Sequence, residues 1–176
     1  MATRFSEDEL KLLAGTPHMI GTAMALAGSS GLIGTGKEMF ASAQSIMAGL
    51  KEYPGNALIQ EIIPNPAGDR QAAMDQARKQ RDWARARLKE KGIASSDKLR
   101  AQAIEDARAV AALLAAKSSG QETAEYKEWA MSVAEKVAMA ASEGGFLGFG
   151  GERLSSEEKK LLSELQAALE SNKPTA

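Results

Sequence analysis

Residues 23–36 read AMALAGSSGLIGTG, and residues 138–150 read AMAASEGGFLGFG. With one gap, both stretches contain Ala-Met-Ala, a short polar spacer, and then Gly, two apolar residues, Gly, any residue and Gly. The copies begin 115 residues apart (138 minus 23). A loop motif repeated at this distance predicts an internally duplicated fold, whose two halves pack around a pseudo-two-fold axis.

The composition narrows the class of protein. A chain of 176 residues suits one domain with a real core, and a net charge of -1 gives no overall attraction to nucleic acid or anionic membranes. Without cysteine and with one histidine, the chain has no disulfide and no Cys/His zinc site. The N-terminus lacks a signal-peptide pattern, and no apolar run approaches the ~20 residues of a membrane span. We therefore expect a cytoplasmic protein with no transmembrane segment.

Helical signals recur along the whole chain, and no segment alternates like a β-strand. Each predicted helix carries one apolar stripe that must be buried against its neighbours. The sequence therefore predicts an all-α fold, a compact bundle of about seven or eight helices. We expect a single domain over residues 1–176, with a first half over about 5–63, a hinge at 64–68 and a second half over about 69–170, because about 65 residues alone would make a marginal core.

Glycine and proline divide the first half into short predicted helices. Gly15 is expected to end a helix that begins with the capping box of Ser6 and Glu9, and Pro17 is expected to open a second helix. A glycine-rich loop over 28–36 then leads to a third helix over 37–50. The residues expected to face the core from that third helix are Phe40, Ile46, Met47 and Leu50.

The second half contains clearer start and stop signals. A long charged helix is predicted over 69–91, with Gly92 just past its end. The next helix is expected to be capped by Ser95 or Ser96. Ser155 and Glu158 form a second capping box before the final helix.

Residues 31–37 read GLIGTGK, which has the letters of a phosphate-binding P-loop. Such a loop follows a strand, and a Ser or Thr after its lysine binds magnesium. Here a predicted helix precedes the stretch, and Glu38 follows Lys37. Both features favour a tight interhelical loop over a nucleotide site.

Both glycine-rich stretches place large apolar side chains between glycines. These residues either form exposed tips that dock a protein partner or fold back to fill the core between helices. Phe149 has the least local cover, because glycines flank it. The candidate partner-binding residues are Leu32, Ile33, Phe146, Leu147 and Phe149.

A basic run over 70–91 holds eight Lys/Arg against three acidic residues. It could bind a phosphate backbone or an acidic protein face, but such a run is more often a solvated helix face. Only Trp83 could stack on a base. Nucleic acid is therefore not an expected partner.

Acidic residues gather around the second glycine-rich stretch. Glu143, Glu157 and Glu158 could together hold a hard cation such as Ca or Mg. The alternating Asp-x-Asp ligand spacing is absent, and Glu158 already has a role in a capping box. Helix capping is the competing explanation for these carboxylates.

The stretch from 104 to 169 resembles tellurite-resistance TerB-like domains. The resemblance is carried by Leu154-Ser155-Ser156-Glu157-Glu158, with Glu158 in the family's Glu position, and by Glu143-Gly144 where the family has an Asp-Gly turn. It implies an all-helical fold of two similar halves, whose acidic turns bind metal or a partner. Here an insert over 145–151 separates the acidic turn from the cap, and the 28–36 loop has no aspartate. The fuller pattern looks like a set of uncharacterised bacterial helical proteins.

Three classes of function follow from these observations. The first is a non-enzymatic interaction or scaffold protein, linked to stress by the TerB resemblance, whose paired glycine-rich loops bind a protein partner. The second is a divalent-cation-binding protein. The third is an enzyme, for which the sequence offers no nucleophile–base pair or metal-ligand cluster. The sequence favours the first class, with no cofactor, and leaves a homo-oligomer open.

Overall fold

The structure of the protein is a computed structural model that describes residues 4–27, 31–142 and 154–171, the side chains of 31–36 and 141–142 excepted. In these residues the chain forms seven α-helices and no β-strand, which confirms the predicted all-α bundle. No helix in these ranges is both long enough and apolar enough to cross a membrane. The helices are α1 (Glu7–Ala27), α2 (Gly31–Glu52), α3 (Ala57–Ile62), α4 (Arg70–Glu90), α5 (Ser96–Lys117), α6 (Gly120–Ser142) and α7 (Ser156–Glu170).

The helix α1 occupies the centre of the bundle. It packs against α2, α5 and α6, while α7 packs mainly on α5. One cluster of buried side chains joins these helices, so both halves of the sequence contribute to the same core. Within α6, the buried rings of Tyr126 and Trp129 meet edge to face, with centroids 5.4 Å apart.

α1 is one continuous helix, whereas the sequence predicted a break at Gly15 and a new helix from Pro17. Proline has no N–H to donate to the carbonyl four residues before it, which here belongs to Leu13. That buried carbonyl instead accepts a hydrogen bond of 2.6 Å from the hydroxyl of Tyr126 in α6. The prediction of two helices is wrong because a distant side chain satisfies the carbonyl that Pro17 leaves open.

α2 begins at Gly31, so most of the glycine-rich loop predicted over 28–36 is helix. A glycine costs a helix only about 1 kcal/mol relative to alanine, and the packing of α2 on α1 and α6 outweighs that cost. The prediction of a loop there is wrong for this reason. A helix rather than a strand precedes GLIGTGK, which confirms the objection to a phosphate-binding loop.

The start and stop signals predicted for the second half are confirmed. Ser95 caps α5, accepting a backbone N–H through its side chain. Ser155 and Glu158 form the predicted capping box of α7, and Gly92 after α4 has a positive φ of 61°. Asn56 and Asp69 cap α3 and α4 in the same way. Each of these caps joins residues close in sequence, so local chemistry decides where the helix begins.

The two Ala-Met-Ala copies lie at the ends of α1 and α6, in different environments. Met24 of the first copy is fully buried, whereas Met139 of the second is 58% exposed. α2, which follows the first copy, packs mainly on α6, whereas α7, which follows the second, packs mainly on α5. The pseudo-two-fold duplication remains a prediction from the sequence, and the second glycine-rich stretch lies outside the described residues.

Candidate interaction surface

Large apolar side chains are exposed on neighbouring faces of α2 and α6. On α2, Phe40 is 65% exposed and Met47 is 38% exposed, although the sequence analysis expected both in the core. The two residues are seven apart, so they lie on one side of the helix, two turns from each other. Met139 on α6 is also exposed, as is Met39 on α2, which lies about 100° around the helix from Phe40.

A groove of about 370 Å³ runs between α2 and α6 beside these residues. Its walls are mostly small or apolar, and Met139 forms part of one wall. Gln44 lines the groove and lies between Phe40 and Met47 on the same side of α2, so the groove and the exposed face are continuous. We call Phe40, Met47, Met139 and this groove the α2–α6 surface. The lining residues are Ala41, Gln44, Ser45, Ala48, Lys136, Met139 and Ala140.

The two helices run antiparallel along the groove. Near the C-terminal end of α2, an added Cβ on Gly49 would meet Nε1 of Trp129 at 2.6 Å, so α2 approaches α6 closely there. Towards the other end, Ala41 and Ala140 line the same groove. The α2–α6 surface therefore lies over the middle and second half of α2 and the last two turns of α6.

One ion pair lies at the edge of the groove. Nζ of Lys136, which lines the groove, lies 3.3 Å from a carboxylate oxygen of Glu52, and both side chains are partly exposed. Such an exposed pair contributes little to stability, but it neutralises the charge of Lys136 beside the groove.

The structure locates the five predicted partner-binding residues only in part. Leu32 and Ile33 lie in the first turn of α2, where the backbone is helical and the side chains lie outside the described part of the chain. Phe146, Leu147 and Phe149 lie outside the described residues. The proposed role of all five residues stays a prediction.

The predicted cation ligands do not form a cluster in the described residues. Glu143 is outside them, and Glu157 lies 2.8 Å from the guanidinium of Arg100. Glu158 is buried, and its Oε2 accepts hydrogen bonds from the backbone N–H and the hydroxyl of Ser155. Its Oε1 has no hydrogen-bond partner among the described residues. No group of three or more His, Cys, Asp or Glu in these ranges is arranged to hold a metal ion.

The two tyrosines are poor candidates for catalysis. Burial, with the carboxylates of Glu128, Glu52 and Glu125, raises the pKa of Tyr53 to about 12. Burial also raises the pKa of Tyr126 well above its usual value. Both phenols are therefore neutral near pH 7 and are not activated as bases or nucleophiles.

The inward face of α2 is marked by small residues, and the large apolar residues expected in the core do not mark it. The buried face carries Ser42, Ser45 and Gly49, spaced by three and four. Small residues at that spacing allow close helix packing, so they indicate the inward face. An added Cβ on Gly21 of α1 would overlap the hydroxyl of Ser42, which shows how close α1 and α2 are.

No protein-family model, curated protein or solved structure matches the chain. The resemblance to TerB-like domains therefore stays a prediction that rests on the short motifs quoted above.

Proposed function

We propose that the protein is a non-enzymatic interaction module that binds a protein partner through the α2–α6 surface. The observation that carries this proposal is Phe40, a phenylalanine 65% exposed in the middle of a helix beside an apolar groove. Exposed apolar patches are uncommon on monomers, and buried aromatic anchors contribute most to many protein interfaces. The link to stress and the cytoplasmic location belong to this proposal and rest on the sequence alone.

An amphipathic helix is the partner element that fits this surface. The groove lies between two antiparallel helices and follows their axes, and a helix presents apolar residues at the matching spacing of three and four. The walls of Ala41, Ala48 and Ala140 leave space for larger side chains to enter. Phe40 and Met139 would pack against the sides of the entering helix.

The test compares binding by three proteins. Phe40→Ser should weaken capture of the partner at least about tenfold, which corresponds to ~1.4 kcal/mol. The free energy of unfolding should change by less than about 0.5 kcal/mol, because the side chain is exposed. Leu26→Ser is the matched control, since Leu26 is also an exposed apolar residue but lies on α1. We expect at least one protein that wild type and the Leu26 variant both capture and that the Phe40 variant does not capture.

Two results would contradict this proposal. If Phe40→Ser lowers the free energy of unfolding by about 3 kcal/mol or more, the side chain is part of the core. If the Phe40 and Leu26 variants bind every captured protein as wild type does, the α2–α6 surface is not the binding site.

Divalent-cation binding is the alternative, and one observation favours it. The Oε1 atom of Glu158 is buried without a hydrogen-bond donor among the described residues, so a cation could satisfy it. Titration of Mg or Ca, followed by amide shifts, tests this alternative. Shifts at 155–158 that Glu158→Gln abolishes would support it, and unchanged spectra at millimolar Ca and Mg would exclude it.

A further inference from the structure

α4 is attached to the bundle by a few contacts along one side. The structure describes every residue of α4, and Ala73 is the only one that is buried. Near its middle, Trp83 covers Gly15 of α1, where an added Cβ would meet the indole at 2.9 Å. Near its C-terminal end, the guanidinium of Arg87 binds both carboxylate oxygens of Asp106 in α5. The opposite side of α4 faces solvent.

Five cations form one stripe on that solvent-facing side. At 3.6 residues per turn, they fall within an arc of about 100° and extend over about 28 Å of helix. All five side chains are exposed. We call them the α4 cation stripe, and its members are Arg70, Arg78, Arg81, Arg85 and Lys89.

Among the residues that the structure describes, the cations of the stripe have little neutralisation by carboxylates. Arg70, Arg78, Arg85 and Lys89 form no ion pair with any described residue, and Arg81 only reaches Asp82, its neighbour in sequence, at 4.0 Å. Like charges three or four residues apart destabilise a helix, and the stripe contains several such pairs. Because this arrangement of like charges destabilises the helix, we infer that it serves to bind an external anion.

The surroundings of the stripe favour a narrow partner. On one side the stripe borders a groove lined by three carboxylates, Glu7, Glu61 and Asp75, and by two lysines, Lys11 and Lys79. A nucleic-acid duplex is wider than one helix, so some of its phosphates would lie over this groove, where the carboxylates outnumber the lysines. A single helix is about 10 Å across, so it would contact the cations without lying over the neighbouring groove.

An exposed apolar side chain lies among the cations of the stripe. Met74 is exposed on the same side of α4, between Arg70 and Arg78 along the helix. Phosphates offer no apolar surface to this side chain, whereas an amphipathic helix does.

We propose that the α4 cation stripe docks an acidic amphipathic helix of a protein partner, with glutamates or aspartates facing the arginines and an apolar residue on Met74. This site is separate from the α2–α6 surface and does not depend on the function proposed for that surface. Opposite charges steer such a partner and set its register along α4.

The experiment uses a defined probe with the full-length chain. The probe is a 21-residue synthetic helix that carries glutamates at alternating spacings of three and four, with leucines between them. Arg78→Glu, Arg81→Glu and Arg85→Glu together should weaken its binding at least about tenfold. The control variant combines Arg108→Glu, Lys127→Glu and Lys160→Glu, which changes the net charge equally on other helices.

Further measurements separate the electrostatic and apolar contributions to docking and compare the probe with other polyanions. Wild-type binding should weaken as the salt concentration rises from about 0.05 M to about 0.2 M, because the charges are exposed. Met74→Ser should weaken binding of the probe but leave binding of a leucine-free peptide with the same glutamates unchanged. A 20-base-pair duplex and vesicles with anionic lipid should bind more weakly than the probe.

Several results would overturn the proposal. The stripe is not a docking site if the Arg78/Arg81/Arg85 variant and the control variant bind the probe equally. A protein helix is the wrong occupant if the duplex or the vesicles bind more tightly than the probe. A second copy of this chain is the occupant instead if wild type self-associates at low salt and only the Arg78/Arg81/Arg85 variant stays monomeric. Circular dichroism of each variant verifies that it is folded.

Discussion

α1 and α4 have the same length, 21 residues, and differ in how much of their surface each one buries. α1 buries ten residues, although Gly15, Pro17 and Gly21 interrupt it with poor helix formers. α4 buries Ala73 alone and consists mostly of alanine, arginine, lysine and glutamine, which are strong helix formers. Packing against other helices therefore keeps α1 helical, while helix propensity and a few side-chain contacts keep α4 helical.

The same difference decides which of the two helices has surface available to bind a partner. A helix surrounded by other helices has little surface left for a partner, so the main contribution of α1 is to the buried core. α4 has most of its surface in contact with water, and substitutions there should change binding more than folding. Four predictions follow from this contrast, in order of decreasing effect.

The largest effect is expected from deleting a core side chain of α1. Ile20 is fully buried, so Ile20→Ala should lower the free energy of unfolding by about 2–5 kcal/mol through lost burial and a cavity. Met74→Ala on the exposed side of α4 is the matched substitution and should cost less than about 0.5 kcal/mol. Urea unfolding measures both values, and similar costs for the two variants would contradict the contrast.

The second effect is expected from releasing the C-terminal end of α4. Arg87→Met leaves the buried carboxylate of Asp106 without its guanidinium, although Nε2 of Gln102 still donates to it at 2.7 Å. The cost should be about 2–3 kcal/mol, slightly below that of a fully buried pair because Arg87 is partly exposed.

Hydrogen exchange distinguishes local release from global loss of stability. Amides of α4 should exchange faster in Arg87→Met, while those of α1 keep their protection relative to global unfolding. Arg87→Met combined with Asp106→Leu should recover much of the loss, because no unpaired charge remains buried. If the double variant is no more stable than Arg87→Met, the loss of stability does not come from leaving the carboxylate of Asp106 unpaired.

A smaller effect is expected at the hydrogen bond between α6 and α1. Tyr126→Phe removes the donor to the carbonyl of Leu13 and should cost about 1–2 kcal/mol, since a buried acceptor is left unsatisfied. The same substitution should cost less in a Pro17→Ala background, because that change restores a backbone N–H within α1. A double-mutant cycle measures this coupling, and equal costs in both backgrounds would show that Pro17 is irrelevant to it.

The smallest effect is expected in mildly alkaline solution, when the pH is raised to about 10. The pKa of Tyr53 is about 12 and that of Tyr126 is also raised, so the folded protein keeps both phenolic protons at higher pH than the unfolded chain. The stability that this contributes is present below the ordinary tyrosine pKa of about 10 and is lost as the pH rises through about 12. Tyrosinate absorbance should appear near pH 10 only in denaturant. Its appearance at that pH in the folded protein would contradict the burial of these side chains.

Helix boundaries could be predicted from the sequence wherever local chemistry decides them. The caps of α3, α4, α5 and α7 each depend on a side chain and the backbone N–H three residues after it, so local sequence is sufficient. α1 and the start of α2 could not be predicted in this way. Their continuity depends on Tyr126 in α6 and on packing along α6, which no nearby residue indicates.

The α2–α6 surface could not be predicted from the sequence for a similar reason. Phe40 and Met47 are large and apolar, and only the position of α2 in the bundle determines that they face solvent. The α4 cation stripe is different, since its composition and spacing are visible in the sequence. What the sequence could not show is that four of the five cations form no ion pair with the described residues.

The hydrogen bond between Tyr126 and Leu13 has a consequence for the order in which the chain acquires its structure. Donor and acceptor lie 113 residues apart, so a ribosome must synthesise most of the chain before this bond can form. Until then, the carbonyl of Leu13 has only water as a donor. We therefore expect the turn of α1 around Pro17 to become stable only once α6 packs against it.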